Sequence, residues 1–90
     1  MVVWRQTAED ELAAIWLASS NRNAVTVAAH AIDQVLAVDA DVVGRPVFDT
    51  VREYVHLPLG VEFEFIIADA RVWVLKVWDI VTGRPVVTGN

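Results

Sequence analysis

The sequence predicts an α+β domain: an N-terminal strand, an antiparallel two-helix hairpin, then a three-stranded antiparallel meander, with the hairpin packed on one face of the sheet. Three observations carry this expectation. Apolar residues recur at helical spacing in two blocks, 8–19 and 24–36, separated by a break containing Ser19, Ser20, Asn21 and Asn23. From Thr50 to Val81 the pattern changes to period two, interrupted by turn signals at Leu57-Pro58-Leu59-Gly60 and Asp69-Ala70. Finally, 56% of the 90 residues are apolar, which excludes a disordered chain and supplies one core. Residues 1–81 are expected to form that single domain, with 82–90 as a tail outside the packed core.

Each element has a local reason. Val2, Val3 and Trp4 have strand propensity. Thr7 offers an N-cap hydroxyl, so the first helix is expected from Ala8, with Ala8, Leu12, Ile15, Trp16 and Ser19 as its inner stripe. Glu9, Asp10 and Glu11 crowd its first turn, where the helix dipole favours negative charge. The second helix carries Val25, Ala28, Ala29, Ile32, Val35 and Leu36 on one stripe, and its small residues Ala28, Ala29 and Ala31 predict close approach of the two helices. Asp39 to Asp49, with Gly44 and Pro46, reads as a connecting loop.

Thr50 to Leu57 reads as the second strand, placing Arg52, Tyr54 and His56 on one face. Proline second and glycine fourth in Leu57-Pro58-Leu59-Gly60 predict a type I turn, returning the chain from Val61. Arg71 to Val81 reads as a long central strand, with Trp73, Leu75 and Val77 on one face and Val72, Val74, Lys76 and Trp78 on the other. Trp4, Trp16 and Trp73 are expected in the core. The recurrence of Gly-Arg-Pro-Val at 44–47 and 83–86 lacks matching flanks and reads as turn chemistry, not a repeat.

Charge and composition narrow the function. Seven basic against twelve acidic residues give a net charge of −5, the opposite of a surface built to coat phosphate backbones. The chain has no cysteine, which removes disulfides, thiolate nucleophiles and Cys-containing zinc sites. No phosphate loop, Rossmann glycine pattern or Gly-x-Ser-x-Gly context occurs. His30 with Asp33 and Gln34 lacks a second histidine at helical spacing, so neither a metal nor another cofactor is expected. Glu9, Asp10 and Glu11 interrupt any signal-peptide core, and no stretch approaches the roughly 18 apolar residues of a membrane span. A cytoplasmic protein without membrane contact is the expectation.

The wording of the chain resembles the RelE/ParE toxin superfamily. Val3-Trp4 followed by Ala8, Asp10, Leu12, Ile15 and Trp16 is similar to that family's opening strand and A-x-D-L-x-x-I helix. Arg52 resembles the arginine that opens its second strand. Phe63-Glu64-Phe65 and Val72-Trp73-Val74-Leu75-Lys76-Val77-Trp78 resemble its last two strands. The resemblance spans roughly residues 2 to 80. It implies the toxin of a type II toxin-antitoxin module of the plasmid-stabilisation kind, neutralised by an antitoxin whose extended or helical segment wraps it. One branch of the family cuts messenger RNA on the ribosome without a metal, and the other inhibits DNA gyrase. Whether this chain is an enzyme stays open between them. Where the nuclease branch commonly carries a His or Tyr after the last strand, this chain reads Trp78-Asp79-Ile80, and it is acidic where family toxins are commonly basic. Those two departures are the ground for a rival reading, a non-toxic interaction module that keeps the fold.

Two sets of residues are candidates for function. Arg52, Tyr54 and His56 share a strand face, with Lys76 expected near them across the sheet, and such groups could supply acid, base and cation for RNA cleavage. A solvated strand face in which Arg52 pairs with Glu62 or Glu64 is the alternative. Val72, Val74, Trp78 and Ile80 form an apolar face that needs a cover, expected from an antitoxin segment, a second copy of the chain or the Val86-Val87 tail.

Overall fold

The computed structural model describes residues 1–81. The order is β1 (Val2–Trp4), α1 (Gln6–Ala18), α2 (Arg22–Asp39), β2 (Arg45–Phe48), β3 (Val51–His56), β4 (Leu59–Ile66), a single 3-10 turn (Ile67–Asp69) and β5 (Arg71–Asp79). The five strands form one sheet in the order β1-β5-β4-β3-β2, antiparallel except that β1 runs parallel to β5. The predicted tail, with Val86 and Val87, lies outside the described residues.

α1 begins at Gln6, two residues before the expected start. Arg5 is its N-cap, with no side-chain capping bond. α2 is capped as its sequence suggests, Asn21 Oδ1 accepting from the Ala24 N–H at 3.1 Å. Arg22 closes the hairpin: its guanidinium donates to the carbonyls of Trp16 and Leu17 at 3.0 and 2.9 Å, satisfying two of the orphan acceptors at the end of α1.

Three expectations about the strands need correction. The segment read as a loop contains β2, an edge strand paired with β3 through Arg45–Glu53 and Phe48–Val51. Pro46 donates no ladder bond, which an edge strand tolerates, and the register shifts beside it. The β3–β4 hairpin turns one residue earlier than a type I turn would. His56 pairs with Leu59, and the Leu57–Pro58 peptide bond between them is cis, as in a type VI turn. Ala70 completes the β4–β5 connection in the left-handed conformation, at φ 50°.

The third correction decides the site. Glu62 pairs with Lys76 but Phe63 pairs with Val74, so Leu75 is an extra residue in β5. This bulge resets the alternation. Val72, Val74 and Val77 all point to the helices, beside Phe65, Phe63 and Val61, while Trp73, Lys76 and Trp78 emerge on the opposite face.

The core lies between the helix hairpin and that inner face: Ala8, Val25, Ala28, Ile32 and Leu36 meet Val61, Phe63, Val72, Val74 and Val77. Full burial of Phe63 alone contributes on the order of 2 to 3 kcal/mol. α1 is also fixed to β5 by a polar bond, Glu11 Oε1 accepting from the Val77 N–H at 3.0 Å beyond the end of β1. Trp73 is thus not a core residue. It stands on the outer face, with the Arg71 guanidinium 5.9 Å from its ring centre.

Candidate functional site

Arg52, Tyr54 and His56 do share a face of β3, the one turned toward the helices, and all three are half-buried. Tyr54 packs against the core. Arg52 Nη1 donates to the Val43 carbonyl at 3.3 Å, tying β3 to the connection that follows α2. Lys76 does not join them. It pairs with Glu62 on the outer face, in a row that runs Arg45, Glu53, Glu62, Lys76 across four strands. Arg45 and Glu53 form an ion pair there, and Thr50 hydrogen-bonds Glu64 on the same face.

The predicted apolar docking face is also divided. Val72 and Val74 are buried in the core and unavailable to a partner, because the face they occupy is the one the helices cover. Trp78 lies on the outer face against Gly60, where an added Cβ would stand 2.5 Å from the indole ring. Ile80 is half-buried past the end of β5, its N–H bonded to the Pro58 carbonyl at 2.9 Å.

A surface that sequence reasoning missed is a groove of about 1040 Å³ between α1, α2 and β1. Trp4, Leu12, Ala13, Trp16, Val25 and Ala29 make its apolar lining, and Glu9, His30 and Asp33 add polar groups. Two bonds fix its tryptophans: Trp4 Nε1 donates to Asp33 Oδ1 at 3.0 Å and Trp16 Nε1 to Thr26 Oγ1 at 3.2 Å. Arg22 lies over the Trp16 ring at 4.8 Å. Ala13 and Ala29 were the available signal. Small residues opposite tryptophans leave a cleft as readily as they allow close packing, and here Ala28 is buried while Ala29 lines the groove.

Among the described residues, β1 beside the groove is an edge strand of the sheet. Met1 C=O and Arg5 N–H bond to β5, so alternation turns the backbone groups of Val2 and Trp4 to the outer side of β1. Asp33 is engaged by Trp4, and among the described residues no group of three His, Asp or Glu side chains converges as metal ligands would.

A solved structure described as the chromosomal ParDE TA system from P. aeruginosa contains a chain of similar shape. It aligns with a TM-score of 0.63 and 19% identity, covering 88% of this chain and 94% of that one. The two chains share one fold. No protein-family model and no curated protein sequence matches this chain. The ParDE likeness therefore rests on the order and packing of elements. In this ParDE-like sheet the two candidate surfaces are separate: the groove borders β1 at one edge, and Arg52, Tyr54 and His56 stand on β3, beyond β5 and β4. Among the described residues no helix is long and apolar enough to cross a membrane.

Proposed function

We propose that the chain is the toxin component of a type II toxin-antitoxin module, held inactive by an antitoxin segment seated in the groove between α1, α2 and β1. The observation that carries this reading is the groove itself, apolar, open and beside a strand that is the sheet edge among the described residues, in a chain that shares the fold of a ParDE system chain. Its volume is at the upper end of the roughly 300 to 1000 Å³ of small-molecule sites, and its open form suits a peptide laid along it. Apolar side chains fill such a groove, and basic residues flanking them complement Glu9 and Asp33.

Released from its partner, the toxin acts by binding and inhibiting gyrase or the translation machinery in the cytoplasm. The separation of Lys76 from Arg52, Tyr54 and His56 favours inhibition by binding over RNA cleavage. A second reading, an interaction module without toxicity, is favoured by the excess of acidic side chains. Induction of the gene in a growing host separates the two: the toxin arrests growth when expressed alone and not when expressed with its neighbouring frame, whereas the module does neither.

Arg52 offers the sharper test. Its cation suits recognition of a phosphate or carboxylate on the target, and Arg52→Ala is expected to abolish growth arrest. Loss of one bond to Val43 costs about 1 kcal/mol, so the variant stays folded by circular dichroism. Arrest that persists in folded Arg52→Ala removes this residue from the inhibitory surface.

A further inference from the structure

We propose, on the reading of the groove as the antitoxin's seat, that it selects its partner's direction by charge: a basic side chain of the antitoxin segment sits between Glu9 and Asp33 at one end, and an acidic one turns toward Arg22 at the other. The helices fix the two ends. Trp16 Nε1 donates to Thr26 Oγ1 and pins one of them. Seven residues back along α1 stands Glu9, and seven residues on along α2 stands Asp33, each about 10 Å from that pin at the helical rise per residue. Seven residues are nearly two full turns, so each carboxylate keeps the side of its helix that faces the groove, and both line it.

Asp33 is further held at this end by Trp4, whose Nε1 donates to Oδ1. Neither Glu9 nor Asp33 has an ion-pair partner among the described residues. The opposite end carries the opposite charge. The Arg22 guanidinium lies 4.8 Å from the Trp16 ring centre, and its bonds to the carbonyls of Trp16 and Leu17 hold it there. Between the ends, Leu12, Ala13, Val25 and Ala29 are apolar. The complementary segment therefore carries apolar side chains flanked by a cation and an anion about 10 Å apart. Laid in reverse, the same segment sets its cation against Arg22 and its carboxylate against Glu9 and Asp33, so both ends repel. Direction is thus decided by three side chains, and the apolar middle accepts either.

The test uses the full chain and the product of the neighbouring frame, titrated by calorimetry. Glu9→Lys is expected to weaken the complex about tenfold or more, and Glu9→Gln and Asp33→Asn several-fold, with the wild-type affinity falling as salt rises and falling less steeply in Glu9→Gln. Asp33→Asn keeps an acceptor for Trp4, and Glu9 makes no bond that the fold needs, so circular dichroism stays that of wild type. Because the chain has no cysteine, a nitroxide placed at Asp10→Cys or at Asn23→Cys reads direction: the first is expected to broaden NMR resonances of Lys or Arg in the partner segment, the second those of Asp or Glu. If Ala13→Arg weakens the complex while Glu9→Lys leaves it unchanged, the groove is the seat and selection by charge is overturned. The opposite pattern of broadening overturns the direction. If wild type forms no complex, the reading of the groove fails and this proposal with it.

Discussion

Glu11 shows how one residue can answer to two physical demands. Among Glu9 and Asp10 it reads as one more acid near a helix N-terminus, yet its Oε1 accepts the Val77 N–H across 66 residues of sequence. That donor lies beyond the reach of β1 and is partly buried. Glu11→Ala is expected to destabilise the fold by about 1 to 3 kcal/mol, read as a lower midpoint in urea, while Glu11→Gln keeps an acceptor and most of the stability. Equal midpoints for wild type and Glu11→Ala would show that the bond contributes nothing. Nothing in the sequence marks this pairing, because it depends on where β1 ends. The alternation of Arg52, Tyr54 and His56 is different: it is local, and their common face was legible from spacing alone.

At the scale of elements, the sequence was most legible where period and punctuation agreed. Both helices and the three strands of the meander lie where their patterns put them, to within about two residues, a usual uncertainty at element ends. β2 was hidden because Pro46 and Gly44 read as loop chemistry, and only the pairing with β3 makes Arg45–Phe48 a strand. The bulge at Leu75 had the larger consequence. A strict period of two carried from Arg71 places Trp73 inward and Val72 and Val74 outward, the reverse of the packing, because both faces of this strand are apolar and the pattern cannot choose between them. The groove was unreadable for a related reason, since it depends on how far the helix hairpin opens. Arg22 holds that opening at one end through its bonds to Trp16 and Leu17. Arg22→Ala is expected to cost about 1 kcal/mol and to change Trp16 fluorescence. An unchanged Trp16 spectrum would mean that Arg22 does not set the groove's wall.

For the whole molecule, charge argues against a phosphate backbone as the partner. A net charge of −5 leaves few cations for phosphates, and Lys76 and Arg45 share their face with Glu53, Glu62 and Glu64. Binding to single-stranded RNA is therefore expected to be weak and to fall steeply with salt, with a slope of about −0.7 per phosphate contacted, measurable by anisotropy of a labelled oligonucleotide. Tight binding that survives high salt would contradict the charge argument. If the groove between α1, α2 and β1 receives the restraining partner, a bulky charge at Ala13, exposed on its wall, blocks the partner with little risk to folding. The deciding measurement is the affinity of the neighbouring frame's product for wild type and for Ala13→Arg, by calorimetric titration of the purified proteins. Wild type is expected to form a stoichiometric complex, weakened at least tenfold in Ala13→Arg, about 1.4 kcal/mol or more; equal affinity for both chains would show that the partner does not sit in the groove.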